Sequence, residues 1–267
     1  MNLISMIFVA RVLPLFRKFR RPGSAARYRA SHRSLLVDIS SRRPAKTAEL
    51  PLGCIYLPIN RPLDQGLPGL ELAVALAAAR DCYLVVACSQ RARPEDFPKE
   101  LAAQLKGRLV LINQAKVHLD WKPVLESSRQ RLGRFHRDND AAEKRNLGLA
   151  LASVLGWHSV LFMDDDISPA SVGPTLDPVG LSRALVTLAA RPGLRAVGWP
   201  AVEMDDHSVI GHSRELVRMG QDLFVGAGAL LVKCDEKTAY FPNLYNHDWL
   251  FLIMLAKKSV DPRRAIG

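Results

Sequence analysis

Three consecutive aspartates, Asp164, Asp165 and Asp166, directly follow a short apolar run at residues 160–163. Apolar runs of this kind bounded by polar residues are typical of buried strands, so the three carboxylates are expected at a strand end. Adjacent like charges repel, and positive groups are therefore expected nearby. In an extended chain Asp164 and Asp166 would face one way and Asp165 the other, a spacing that lets two carboxylates bind one metal–diphosphate. The alternative is a solvated acidic turn.

A fourth carboxylate, Asp248, stands far downstream at the head of an apolar stretch. It follows a small-residue loop that contains Gly226, Ala227 and Gly228. A carboxylate in this position can accept a proton as a general base. It can also simply be stabilised by the positive end of the helix dipole.

The elements that must position these residues alternate between strands and helices. Besides the strand before Asp164, strands are predicted at residues 51–60, 81–88, 108–113, 194–200 and 224–233. Helices are predicted at residues 70–80, 99–105, 141–156, 179–190 and 243–256. This alternation predicts an α/β fold with a mostly parallel sheet and helices on both faces. Ligands of such sheets bind beyond the carboxyl ends of the strands, where Asn60, Arg61 and Ser89 stand.

Two polar segments lack a clear strand or helix pattern. Residues 116–141 are predicted to form a long surface helix or loop, and residues 203–223 a loop or hairpin over the site. The second segment contains His207 and His212, and such histidines more often pack in a loop than bind a metal. Cys54, Cys82, Cys88 and Cys234 show no metal-ligand spacing and are expected to be free thiols in a reducing cytoplasm.

The positive charge of the chain is concentrated at its start. The net charge is +11 over 267 residues, and residues 1–45 contribute +9 of it through ten basic residues and one acid. We therefore expect a basic arm at residues 1–45 and a folded domain at residues 46–267, whose halves divide near residue 166. Because the domain carries only +2, a nucleic-acid-binding function is not indicated.

The arm begins with an apolar stretch that is too short for a membrane span and lacks the features of a signal peptide. Apolar residues followed by arginines favour peripheral contact with an anionic membrane. The alternatives are an arm without fixed structure and a helix docked on the domain. The expected location is the cytoplasm, with the inner face of the membrane as the site of any such contact.

Four elements in order resemble the inverting glycosyltransferases of the GT-A fold, close to the large family-2 group. They are Lys-Arg-Asn-Leu-Gly at residues 144–148, the Asp triplet, Gly-Ala-Gly at residues 226–228, and Asn-His-Asp-Trp at residues 246–249. The order and separations fit a catalytic core over about residues 50–258. The resemblance implies a Rossmann-like sheet, a nucleotide-diphosphate-sugar donor, an acceptor hydroxyl or amine, and Mn²⁺ or Mg²⁺.

The resemblance also implies roles for individual residues. Asp248 would be the catalytic base, Asp166 the principal metal ligand of a DXD motif, and Asp164 a second ligand or a ribose contact. The donor and its nucleotide would be bound by Pro58, Asn60, Arg61, Ser89, Lys144, Arg145, Asn146 and Asp165. The sugar or acceptor would be bound by Gly226, Ala227, Gly228, His247 and Trp249. His247 departs from the family, which usually has an acid there, and Ser89 stands where relatives often have a carboxylate.

Two other functions use a similar sheet. A nucleotidyltransferase would normally have a glycine-rich loop after the first strand, and residues 57–62, Leu-Pro-Ile-Asn-Arg-Pro, lack it. A non-catalytic relative that binds nucleotide-sugar is the other alternative, and the presence of both Asp166 and Asp248 argues against it.

Overall fold

The structure is a computed structural model that describes residues 47–117, 140–169, 176–200, 225–236, 238–244 and 247–257, with Leu36, Ile39 and Ile266. Most of the predicted arm lies outside these residues. So do nearly all of residues 116–141, the whole of residues 203–223 with His207 and His212, and Asn246 of the fourth element. Within the described chain, no helix has both the length and the apolar character needed to span a bilayer.

The described residues form one six-stranded sheet with five α-helices. The strands are β1 (Cys54–Ile59), β2 (Tyr83–Cys88), β3 (Leu109–Asn113), β4 (Ser159–Met163), β5 (Ala196–Gly198) and β6 (Ala229–Lys233). The helices are α1 (Pro68–Arg80), α2 (Lys99–Gln104), α3 (Ala141–Leu155), α4 (Pro178–Ala190) and α5 (His247–Lys257). Two short 3₁₀ turns lie at Pro94–Asp96 and Gln114–Lys116.

The strand order is β3-β2-β1-β4-β6-β5. The first four strands are parallel to one another, whereas β6 is antiparallel to both β4 and β5. The predicted fold class is therefore confirmed as α/β with a mixed, mostly parallel sheet flanked by helices. The observed strands are shorter than predicted. In place of the strand predicted at residues 194–200 only Ala196–Gly198 is extended, and of the strand predicted at residues 224–233, residues 225–228 leave the ladder and turn beside Asp164.

The alternation of side chains along β1 divides the core into two layers. Ile55, Leu57 and Ile59 face α1, α2 and α4, while Cys54 and Tyr56 face α3 and α5. Full burial of β1 on both faces explains its continuous apolar run. All four cysteines are free, as predicted, and burial raises the pKa of the Cys82 and Cys88 thiols to about 11.

Gly148 lets α3 lie close to the sheet. A Cβ at this position would meet the Tyr56 ring at 2.9 Å and the Phe162 ring at 3.0 Å, so only glycine fits without displacing them. The close approach brings Lys144 and Arg145, one turn earlier, against the carboxyl ends of β1 and β4. The glycine of the Lys-Arg-Asn-Leu-Gly element thus has a packing role that supports the site.

Two residues from the predicted arm contact the folded domain. Leu36 forms an isolated parallel bridge with Ile266, which itself bridges to Ala196 in β5. Ile39 packs against the core layer that contains α1 and α4. At least part of residues 36–45 therefore packs with the domain rather than projecting from it.

Candidate active site

The aspartate triplet forms a turn at the carboxyl end of β4. The strand ends at Met163, and the Ile167 amide donates to the Asp164 carbonyl at 3.3 Å, which closes the turn. The expectation of strict alternation was therefore wrong: Asp164 faces one arginine, while Asp165 and Asp166 share another. The physical reason is that extended geometry stops one residue before the triplet, so the period of two no longer applies.

Arg61, which follows β1, neutralises two of the three carboxylates. Its Nε and Nη2 atoms donate to Asp165 at 3.0 and 2.5 Å, and Nη2 also donates to Asp166 at 3.0 Å. The Asp165 hydrogen bond raises the pKa of Arg61 further above its usual value. Asp165 is buried, whereas the Asp166 side chain is 62% exposed, so Asp166 is the most exposed carboxylate of the triplet.

Arg145 is buried between carboxylates from two different elements. Its Nη2 donates to both oxygens of Asp164 at 2.6 and 2.9 Å, and its Nη1 lies 3.3 Å from Asp248 Oδ1. Burial alone would lower the pKa of Arg145, but Asp164 and Asp248 raise it above its usual value. Arg145 therefore brings the acidic turn and the predicted base onto one guanidinium.

Asp248 lies in the first turn of α5 and accepts a backbone hydrogen bond on its other oxygen, from Ala227 N at 2.9 Å. His247 Nε2 lies 3.0 Å from Asp248 Oδ1 and 2.6 Å from Arg145 Nη1. Burial raises the pKa of Asp248, but Arg145, His247 and the Ala227 amide hold it well below its usual range. These three groups therefore favour the ionised form of Asp248.

Asp164 shares the arginine but has the opposite shift. Burial raises the pKa of Asp164, Arg145 lowers it, and the charges of Asp248 and Asp166 raise it again, so the net direction is upward. Two carboxylates on one guanidinium thus have pKa values that are moved apart. Such a separation is typical of sites where two acids do different work.

Lys144 lies under the carboxyl ends of β1 and β2. Its Nζ donates to Ser89 Oγ at 2.9 Å and to the Ile59 carbonyl at 3.2 Å, and it lies 3.2 Å from Asp140 Oδ1. Burial lowers the pKa of Lys144, and Asp140 opposes this. The predicted donor residues Lys144 and Ser89 are thus brought together, with Ser89 serving as a partner of the lysine.

Asn146 is fully buried and has its amide group occupied at both ends. Its Nδ2 donates to the Phe241 carbonyl at 2.8 Å, and the Phe241 amide donates back to its Oδ1 at 2.7 Å. Phe241 also stacks on Phe251 of α5 at 3.8 Å between ring centroids. In this arrangement Asn146 joins α3 to the loop before α5, whereas the sequence predicted a donor contact.

The small-residue loop lies against the acidic turn. Because Met163 pairs with Ala229 across the antiparallel ladder, the loop that precedes β6 meets the end of β4. The Asp164 amide donates to the Gly228 carbonyl at 2.8 Å, and Gly226 and Ala227 are buried beside it. Trp249 lies partly buried in the first turn of α5. The predicted sugar- or acceptor-side residues therefore lie on the side of Asp164 that faces α5.

An open cavity of ≈ 220 Å³ lies beyond the carboxyl ends of β1 and β4. Its lining contains the predicted residues Pro58, Asn60, Arg61, Lys144, Arg145, Asp164, Asp165 and Asp166, together with Asp140 and Ala141. Four carboxylates and three cations line it, so the described wall has an excess of negative charge.

A divalent metal at this site would have few protein ligands. Among the described residues, no three His, Cys, Asp or Glu side chains come together as a metal-binding group. Asp164 and Asp165 have arginine donors on both oxygens, and Asp166 is the most exposed carboxylate of the three. One exposed carboxylate fits a Mg²⁺ or Mn²⁺ ion that is shared with substrate phosphates, and it does not provide a cage of protein ligands.

Three contributors to the site were not predicted from the sequence. Asp140 pairs with Lys144, and the available signal was its position four residues earlier at the start of a helix. Phe241 binds Asn146 and lies 5.8 Å from the Arg145 guanidinium. Gly69 in α1 donates its amide to the Asp165 carbonyl at 3.1 Å. The last two act through packing and backbone, which leave no motif in a sequence.

Comparisons with known proteins give only distant likenesses. No family model and no curated protein matches the chain. One similar solved structure is described as a mycobacterial protein, with 15% identity and a TM-score of 0.41, covering 78% of this chain. The chain spans 61% of the length of that protein. Another is M. tuberculosis glucosyl-3-phosphoglycerate synthase, with 17% identity and a TM-score of 0.42, covering 84% of this chain and 75% of that one.

Proposed function

We propose that the chain is a glycosyltransferase that moves a sugar from a nucleotide-diphosphate donor to an acceptor hydroxyl or amine. The observation that carries this proposal is the Arg145 guanidinium, which binds Asp164 of the acidic turn and Asp248 of α5 together. Glycosyl transfer needs one group that stabilises the leaving diphosphate and another that removes the acceptor proton, and the two groups must lie close together around the sugar. The two carboxylates belong to elements that can serve these two needs.

The donor diphosphate would occupy the cavity beyond β1 and β4. Its described wall has more carboxylates than cations, so a bare diphosphate would be repelled. We therefore propose that Mn²⁺ or Mg²⁺ accompanies the donor and is held on the protein by Asp166. Such an ion, when bound, neutralises charge on the leaving phosphate oxygens. Arg61 orients Asp166 by its hydrogen bond. Asn60 and Pro58 line the side of the cavity where the nucleotide would lie.

On the acceptor side Asp248 would receive the proton. The acceptor oxygen forms a bond to the anomeric carbon, the bond from that carbon to the phosphate oxygen breaks, and its electron pair leaves with the diphosphate. The proton of the acceptor passes to Asp248. Because Asp248 is a weak base, the transfer would occur late, when bond formation has made that proton strongly acidic. With one displacement from the opposite face, the anomeric configuration would be inverted.

A panel of nucleotide-diphosphate sugars, tested with the full chain and with or without Mn²⁺, would examine this proposal. We expect metal-dependent release of nucleoside diphosphate, and transfer when a hydroxyl or amine acceptor is supplied. The same panel with nucleoside triphosphates and sugar phosphates tests the nucleotidyltransferase alternative. Release of pyrophosphate in that arm, without cleavage of any nucleotide sugar, would contradict the proposal. Metal-dependent binding without turnover of any donor would favour the non-catalytic alternative.

A further inference from the structure

Arg145 is a buried arginine whose terminal N–H groups face mainly protein carboxylates. Its exposed fraction is 4%, and the contacts described above join it to Asp164, Asp248 and His247. Its Nε is buried and has no hydrogen-bond partner in the described structure. A planar guanidinium with both terminal nitrogens on protein groups has fixed orientation. It is therefore placed to determine where Asp248 lies and whether it carries a proton.

We propose that Arg145 is a positioning residue that holds Asp248 in place and ionised, rather than a direct ligand of the donor phosphates. This inference rests on the proposed function, in which Asp248 is the base. Arg145 fixes one oxygen of Asp248, and the Ala227 amide fixes the other. The orientation of the Asp248 carboxylate is thereby set by α3 and by the loop before β6, and not by its own helix.

Several charged groups surround Asp248. Arg145 reaches it from α3, His247 from its own helix, and the Ala227 amide from the loop before β6. Asp164 lies on the acidic turn, and its charge and that of Asp248 repel each other. Without Arg145, Asp248 and Asp164 would remain as two partly buried carboxylates with their shared cation removed. An opposite charge at this distance typically lowers the pKa of a carboxyl by about one to three units, so its loss should reverse that effect.

Carboxyl ¹³C NMR of the full chain tests the inference without requiring turnover. The Asp248 resonance is assigned by its loss in Asp248→Asn. In the wild type we expect it to stay constant between pH 8 and pH 4. In Arg145→Met its titration should begin at a higher pH than in the wild type, by about one to three units. In Arg145→Lys the midpoint should lie between the two, because a lysine ammonium cannot donate to both carboxylates with the fixed geometry of a guanidinium.

Arg195→Met is the matched control. Arg195 is also a buried arginine with both terminal nitrogens on one carboxylate, Asp235, and Asp235 is not part of the site. This variant should lose stability but leave the Asp248 resonance constant. An Asp248 resonance that is equally constant in Arg145→Met overturns the inference. If Arg145→Met does not fold, Arg145→Lys decides, since it must still show an upward movement of the midpoint.

Binding and turnover then separate positioning from phosphate binding. The affinity of Arg145→Met for pyrophosphate with Mg²⁺, measured by calorimetry, should stay within a few-fold of wild type. Its kcat for transfer should fall by about 10²-fold or more, with the acidic limb of the pH profile moved upward. A loss of pyrophosphate affinity with an unmoved pH profile makes Arg145 a phosphate ligand and overturns the inference. A wild type that transfers no sugar overturns the proposed function, while the NMR result still stands.

Discussion

Gly69 lies in backbone contact with Asp164: a Cβ built on the glycine would be 2.2 Å from the Asp164 carbonyl oxygen. The Gly69 amide also donates to the neighbouring Asp165 carbonyl at 3.1 Å. The amino end of α1 therefore packs directly on the acidic turn. Because both groups are backbone, no side-chain movement can relieve an added methyl group.

Gly69→Ala should accordingly destabilise the protein, although glycine to alanine usually stabilises a helix. Overpacking typically costs about 1–3 kcal/mol, and here the displaced atoms belong to the acidic turn. Urea unfolding gives the free-energy change, and Mn²⁺-dependent nucleotide binding gives the effect on the site. Ala75→Gly, at an exposed position in the same helix, measures the ordinary propensity term of about 1 kcal/mol. A more stable Gly69→Ala would contradict the packing described here.

Asp166→Ala should abolish metal-dependent binding of a nucleoside diphosphate and leave the fold intact. Asp166 is exposed, and its described partner is the Arg61 guanidinium, which stays paired with Asp165. Calorimetry with and without Mn²⁺ measures the effect, and thermal unfolding checks the fold. Unchanged Mn²⁺-dependent affinity would remove Asp166 from the metal site.

Asp248→Asn should reduce sugar transfer by about 10²–10⁴-fold, because an amide keeps the size of the carboxylate but cannot accept the proton. The Ala227 amide can still donate to the side-chain carbonyl of the introduced asparagine, so the loop before β6 should keep its place. Donor affinity should remain within a few-fold of wild type. Near-normal transfer by the variant, or an NMR spectrum of the product with retained configuration, would rule out this role for Asp248.

Glu49 should make stability depend on pH. Burial raises the pKa of Glu49, but its hydrogen bond from Ser182 and its pairing with Arg80 bring it below the usual 4.5. A depressed pKa means that this stabilisation is fully present above about pH 4.5 and is lost as the pH falls through the lower folded-state value. The wild type should therefore exceed Glu49→Gln in unfolding free energy at pH 7, with the difference shrinking in acid. Glu100→Gln, at an exposed position, is the control for the substitution itself.

Two truncations should differ because Leu36 and Ile39 contact the domain. Deletion of residues 1–45 should lower the unfolding free energy by about 1–3 kcal/mol more than deletion of residues 1–35, through the apolar burial lost with Leu36 and Ile39. The shorter deletion should also weaken binding to anionic vesicles, since it removes eight basic residues and no acid. Equal stability of the two forms would mean that the Leu36 and Ile39 contacts contribute nothing. Equal binding of anionic vesicles by the full chain and by the form lacking residues 1–35 would contradict the expectation of membrane contact.

The order of strands and helices could be predicted from the apolar runs and the polar, glycine and proline residues that bound them. Strands that are buried on both faces leave such continuous apolar runs in the sequence. The placement of Arg61 at the carboxyl end of β1 and of Asp164 at the carboxyl end of β4 followed from the same logic, whereas Lys144 was predicted only through the family resemblance. The pairing of cations with carboxylates did not, since it depends on where the acidic turn bends after Met163. Nor could the sequence predict that Asn146 binds Phe241, because a contact between residues 95 apart in the chain depends on how α3 packs against the loop before α5.

The sheet order has a consequence for how the chain folds during synthesis. β1 lies inside the sheet, between β2 and β4. Arg61, which follows β1, can therefore pair with Asp165 only after a further 104 residues have been synthesised. β1, β2 and β3 can pair as they emerge, which leaves the second edge of β1 open until β4 arrives. Such distant pairings fold slowly, and an open apolar edge favours association with other chains. Expression at lower temperature or with chaperones should therefore improve the soluble yield of the full chain.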